Sequence, residues 1–412
     1  MGENSNNVDL SVNICGIKFP NPFMLASAPP TARGEMIKKA LKLGWGGAVL
    51  KTLKPDDMEI QDVTPRFHTL KSFHGESIGF ENIELVTKRP LKVWLREIEE
   101  IKQEFPERII IASIMADMKK ESWQNLAFAA QGAGADGIEL NLSCPHGMPE
   151  KGIGAAVGQK ADLTKTVTAW VKEAITIPLF VKLTPNVTSI EPIADAALAG
   201  GADALAAINT IESMAGVDLE TMVPYPSVAG KSTYGGYSGA AVKPVGLRVV
   251  SQLAKWGLLP VSGIGGISSW EHAAEYMLLG ARNVQICTAV MLRGYGIIKD
   301  LRKGLEDYLK RKGYSSVQEI IGLALPNITS HSSLDRSRQV MARVNKDWCT
   351  GCNICVTVCD DAGYSAIEAC SDKTVAVNPE KCDGCSLCTA VCRRKAITMV
   401  LNPTWSGMKE YA

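Results

Sequence analysis

The chain has 412 residues, 46% of them hydrophobic and 21% charged, with 44 Lys and Arg against 43 Asp and Glu. That composition excludes a disordered chain, and the balanced charge gives no basic face for nucleic acid or an anionic membrane. MGENSNNVDL opens with neither a secretion signal nor a myristoylation pattern, and the longest largely apolar run, 109–116, is too short to span a bilayer, so a cytoplasmic protein is expected.

Over the first ~320 residues a short β-rich run alternates with an amphipathic helical stretch. The runs predict eight strands, at 22–27, 47–52, 109–115, 137–143, 179–184, 204–209, 259–264 and 283–288. In the first intervening helix Met36, Ile37, Ala40 and Leu41 share one face, opposite Glu35, Lys38, Lys39 and Lys42. Four helix-to-strand joints read alike: LGWGGAVLKT, AGADGIELNLS, AGGADALAAINT and LGARNVQICTA. Each puts glycine at the helix end, then an apolar strand, then a polar residue at the strand's far end. Eight such units predict an α/β fold, a (β/α)8 TIM barrel rather than an open doubly wound sheet.

In such a barrel the chemistry sits on loops after the strands. Those ends carry Ser27, Lys51, Asn141 with Cys144, Lys182, Asn209 with Thr210, Gly265 with Gly266, and Cys287 with Thr288. The set is small, polar and convergent, as a pocket requires. Three connections are long: 53 to about 90, 144–159 and 211–243. The second carries Cys144, His146 and four glycines, a composition suited to a mobile lid. His146 stands two residues from Cys144.

Composition divides the chain into a barrel over 1–325, a polar linker over 326–343, and a cysteine module with a short tail over 344–412. Nine of the twelve cysteines lie between Cys349 and Cys392. Two sets repeat the spacing C-x2-C-x2-C-x3-C, which holds two [4Fe-4S] clusters, the fourth cysteine of each run crossing to the other cluster. One cluster is assigned Cys349, Cys352, Cys355 and Cys392; the other Cys382, Cys385, Cys388 and Cys359. Paired structural zinc sites are the alternative. Asp360 and Arg393 stand where the bacterial pattern has proline, which bears on local backbone geometry rather than on the ligands.

A barrel joined to one-electron carriers needs a cofactor that handles both hydride and single electrons, which flavin does. SGIGG, 262–266, could meet its phosphate with backbone amides, and Lys51 and Lys182 could face its pyrimidine edge. The alternative for each lysine is a partner carboxylate in the core. GAGADG, 132–137, matches G-x-G-x-x-G but follows a helix and precedes a strand, the reverse of the dinucleotide-binding order, and is rejected.

The strings LASAPPT, SIGFENIEL, IASIM, ELNLSCPHGM, KLTPNVT, TYGGYSG and QICTA, with TVCDDAGYSAIEA in the tail, resemble the dihydropyrimidine dehydrogenase family over nearly the whole chain. The likeness is to the barrel and C-terminal ferredoxin domains, as found in the pyrimidine-reducing chain of a bacterial two-subunit enzyme. It implies FMN held by Ala26, Ser27, Lys51, Lys182, Gly239, Gly265, Gly266, Cys287 and Thr288. It implies uracil or thymine read by Asn82, Glu84, Asn141, Asn209 and Thr210, with hydride going to C6 and Cys144 protonating C5. It further implies a partner subunit carrying FAD and the NAD(P)H site, in a hetero-oligomer built on a homodimer. A dihydroorotate dehydrogenase, whose active loop is similar, and a non-catalytic electron-transfer subunit are the competing readings.

Overall fold

Apolar runs that begin just after a helix-ending glycine become the staves of a parallel barrel. The structure is a computed structural model that describes residues 8–72, 75–142 and 154–403. Its barrel strands are β1 Phe23–Leu25, β2 Gly47–Val49, β3 Ile109–Ile114, β4 Gly137–Asn141, β5 Leu179–Leu183, β6 Ala204–Ala207, β7 Val261–Ile264 and β8 Ala281–Ile286. Each pairs with its neighbours in chain order, and β8 closes on β1 through Val284↔Phe23, Gln285↔Met24 and Ile286↔Leu25. All eight predicted strands are therefore present. β3 and β5 are buried along their whole length, as strands covered on both faces must be.

Eight helices face these strands: α1 Gly34–Leu43, α2 Leu91–Glu104, α3 Lys120–Gly132, α4 Ala161–Lys172, α5 Glu191–Ala199, α6 Lys243–Trp256, α7 Trp270–Leu278 and α8 Ile298–Lys312. In α1, Ile37, Ala40 and Leu41 are buried while Lys39 and Lys42 are exposed, the division its periodicity predicted. Gly44 ends α1 at φ +110°, where a side chain would be strained, and Gly134, Gly201 and Gly280 take positive φ at the equivalent joints. The decoy is resolved by the same geometry: Gly132 ends α3 and Gly137 opens β4.

Two of the connections expected to be long loops instead meet in one sheet. Phe67–Lys71, Ser77–Asn82, Gly235–Ser238 and Ile211–Ser213 form four antiparallel strands, with Gly236↔Asn82 and Phe67↔Asn82 in register.

The chain divides into two compact units, Met1–Asn327 and Ile328–Ala412. In the second, Val340–Val344 pairs antiparallel with Ile397–Leu401, and Ile367–Ala369 with Val375–Val377. Residues 340–343 are thus strand where composition suggested linker. Their short apolar alternation is recognisable only beside a partner strand at the far end of the unit. Helices Ile354–Asp361 and Leu387–Val391 each begin one residue before the third cysteine of their motif. The core between them consists of Ala342, Cys355, Ile367, Val375, Cys388 and Ile397, with Cys349, Cys359, Cys382 and Cys392 packed against it.

Candidate functional site

The C-terminal ends of the barrel strands surround a cavity of about 420 Å³, within the usual range for a small-molecule or cofactor site. Ala26 and Ser27 follow β1, Lys51 follows β2, Asn141 ends β4, Lys182 lies in β5, and Asn209 and Thr210 follow β6. Gly265 and Gly266 follow β7, Cys287 and Thr288 follow β8, and Asn82, Glu84 and Gly239 come from the two long connections. All fourteen line this one cavity. Cys144 and His146 lie outside the described residues.

Both lysines face carboxylates. Lys51 Nζ donates to Glu84 Oε2 at 2.6 Å, and Arg66 Nε donates to the other oxygen at 3.2 Å. Lys182 Nζ is 3.6 Å from Glu139 Oε1, a pair with side-chain exposures of 7% and 0%. The two readings of these lysines, cavity residue and partner of a core carboxylate, hold together.

The amides form a fixed chain. Asn209 Nδ2 donates to Asn141 Oδ1 at 3.2 Å, and Asn141 Nδ2 donates to Thr52 Oγ1 at 3.0 Å. Thr52 Oγ1 also lies 2.9 Å from Ser113 Oγ and 3.2 Å from Ser27 Oγ. Asn82 is anchored separately, Nδ2 to Gly236 O at 3.0 Å. Amides oriented this way can offer both donors and acceptors to a planar ring.

The loop after β7 requires glycine at two successive positions. Gly265 and Gly266 have φ of +128° and +69°, and a Cβ on Gly266 would fall 2.7 Å from Lys243 N. Tyr276 Oη donates to Gly265 O at 2.6 Å and pins the turn, while Ser238 and Thr288 hydroxyls meet 2.8 Å apart across the cavity wall. Burial pushes the Cys287 thiol up to about 11, against the opposing pull of Lys182 and Lys51, which keeps it protonated at neutral pH.

The sequence reading missed Phe67, Phe80, Tyr237 and Ser238, which line the cavity from the antiparallel sheet, and Gln285 on its floor. Phe67 and Phe80 rings lie 5.4 Å apart. Only the alternation of apolar residues at 78 and 80 hinted at a strand there.

In the second unit, six of the eight motif cysteines stand in or against the core where a domain of this size would place larger apolar groups. Asn353 and Ser386 take left-handed conformations at matching positions of the two motifs, and Cys359 and Cys392 each accept an amide, from Ala366 at 3.4 Å and Ala396 at 3.3 Å. The departures from proline have different outcomes: the first helix continues through Asp361, whereas the second ends at Val391. Among the described residues no three His, Cys, Asp or Glu side chains converge closely enough to hold a single ion. The four cysteine sulfurs that ligate a cubane, one to each iron, lie farther apart than the ligands of one ion.

A family model described as dihydroorotate dehydrogenase matches residues 9–309, and one described as a 4Fe-4S dicluster domain matches 342–399. The chain belongs to the dihydroorotate dehydrogenase family. It carries a 4Fe-4S dicluster domain as its second unit. It is 44% identical over 369 residues to the NAD-dependent dihydropyrimidine dehydrogenase subunit PreA of Escherichia coli K12, covering 89% of each chain. It is 42% identical to the chloroplastic dihydropyrimidine dehydrogenase (NADP(+)) of Arabidopsis thaliana, over 79% of each chain. It is also 40% identical to the catalytic subunit of dihydroorotate dehydrogenase B from Pyrococcus abyssi, over 77% of this chain and 99% of that one. The chain is therefore an oxidoreductase of PreA type by homology. Among the described residues no helix is long and apolar enough to cross a membrane.

One titrating group sits beside the cavity without lining it. Glu81 is fully buried on the strand behind Phe80 and Asn82, and neither oxygen has a well-formed hydrogen bond among the described residues. Burial pushes its carboxyl up to about 7, with the Ser213 hydroxyl and the Ala215 and Gly235 amides pulling the other way. Below its ordinary value of 4.5 both folded and unfolded chains hold the proton. Above that the unfolded chain releases it first, so this group costs stability progressively until about pH 7 and by a constant amount beyond. Glu81→Gln is expected to gain in urea midpoint over the wild type between about pH 5 and about pH 8. A difference between the two proteins that does not change with pH would contradict this.

Proposed function

We propose that this chain catalyses the reversible reduction of the 5,6 double bond of uracil or thymine, as the pyrimidine-reducing subunit of a larger enzyme. The observation that carries the reading is the extent of the likeness to the PreA subunit, which spans 89% of both chains and so reaches from the barrel into the dicluster unit. Electrons would enter from a partner subunit with FAD and NAD(P)H and pass through the two [4Fe-4S] clusters. A hetero-oligomer built on a homodimer of this chain is part of the proposal.

The residues present suit FMN. Gly239, Gly265, Gly266 and Thr288 offer a close-approach turn and donors for its phosphate. Lys51 and Lys182 bring cations toward the ring's pyrimidine edge, with Ala26, Ser27 and Cys287 completing the wall. Bound there, FMN supplies the hydride that reaches C6 of the substrate. Asn82, Asn141, Asn209 and Thr210 hold the imide edge, since each amide pairs with a ring carbonyl or N–H. Glu84, fixed by Lys51 and Arg66, orients the ring from the remaining side. Cys144 is assigned the proton for C5. An unperturbed thiol of about 8.5 holds its proton at neutral pH and is suited to giving it.

The second reading is oxidation of dihydroorotate, favoured by the Pyrococcus abyssi relative. Orotate carries a carboxylate that needs a cation. Lys51 and Lys182 already face Glu84 and Glu139, which favours a neutral ring. A non-catalytic role fits poorly with three asparagines gathered on one cavity.

The test is anaerobic: bleaching of the bound flavin on adding dihydrouracil, dihydrothymine or dihydroorotate in turn. Bleaching by the first two is expected, and bleaching by dihydroorotate alone would overturn the reading. Cys144→Ala is expected to retain FMN yet slow pyrimidine reduction by at least ~100-fold, measured in single turnover. Unchanged turnover would remove Cys144 from its role.

A further inference from the structure

Glu139 lies in β4 two residues before Asn141, so both side chains point into the barrel, Glu139 one layer below the cavity. It is 0% exposed, and its two oxygens are used differently. Oε2 accepts from Gln285 Nε2 at 2.9 Å, and that nitrogen also reaches Ser262 Oγ at 3.1 Å. Oε1 accepts no hydrogen bond among the described residues and faces Lys182 Nζ at 3.6 Å. A carboxylate removed from water needs an opposite charge close by, and Lys182 supplies it. Gln285 on β8, whose amide also reaches Ser262 on β7, fixes the carboxylate from the side away from Lys182.

We propose that Glu139 is a positioning residue for the flavin site: its carboxylate holds the Lys182 ammonium at the cavity floor and offsets its charge, keeping the reduction potential of the bound flavin low. The proposal rests on FMN occupying the cavity. Two-electron reduction adds negative charge to a flavin, and a bare cation beneath it would favour the reduced form. A paired cation favours it less. The low potential leaves the flavin able to pass hydride on rather than retain it. Glu139 touches neither substrate nor flavin; its negative charge offsets the positive charge of Lys182 at the flavin.

Flavin content is measured first, then the flavin midpoint by equilibration with a reference dye. Glu139→Gln keeps the partner for Gln285 and removes the charge, and is expected to shift the flavin–dye equilibrium about tenfold or more toward reduced flavin. Lys182→Met is expected to shift it the opposite way. The double variant leaves neither charge alone in the core, so it is the one best able to fold, and is expected within about threefold of the wild type. A double variant matching Lys182→Met, or Glu139→Gln matching the wild type, would overturn the proposal. If Glu139→Gln does not fold, the comparison of the double variant with Lys182→Met decides. A wild-type chain that retains no flavin would instead overturn the functional reading, and this proposal with it.

Discussion

A charge placed inside a closed barrel must find an opposite charge within reach, because no water is there to solvate it. The site obeys this constraint twice. Lys182 on β5 has Glu139 on β4 beneath it, and Lys51 after β2 has Glu84 from the long connection beside it. The first pair is built from adjacent staves, where Asn141 and Lys182 are in register. The second reaches across from strand end to loop, tying the connection that carries Asn82 to the barrel rim. Cations can therefore face a cofactor without leaving the core uncompensated, and the carboxylate of Glu84 gains a fixed orientation toward a ring.

The antiparallel sheet follows from the same anchoring. Residues 67–82 and 211–238 leave the barrel from different strands and return paired, with Asn82 and Gly236 joined across 154 positions of sequence. One face gives Phe67, Phe80 and Asn82 to the cavity. The other buries Glu81 and stacks His68 on Tyr225, ring centroids 4.2 Å apart. The cavity is thus enclosed by secondary structure on this side rather than by irregular loop, which fixes Asn82 relative to Asn141 and Asn209.

Much of this was legible because its physics is local. Strands 47–49 and 137–141 announce themselves as apolar runs after a glycine, and barrel topology then dictates which ends converge. The cysteine spacing was equally plain, since three of the four cysteines assigned to each cluster fall within one short segment. What escaped was pairing at long range. Phe67 and Tyr237 reach the cavity only because two distant connections pair, and Val340–Val344 is a strand only because 397–401 lies beside it. Glu139 escaped for another reason: within ELNLSCP it reads as one more residue of a buried run, and only the Lys182 and Gln285 contacts give its charge a purpose.

The most direct measurement of the central claim uses the isolated chain with FMN and both clusters in place, supplied with reduced methyl viologen and no partner. The account expects uracil or thymine to be converted to the 5,6-dihydro ring, with two viologen radicals consumed per ring. Flavin-replete protein that reduces orotate but leaves uracil and thymine untouched would contradict it.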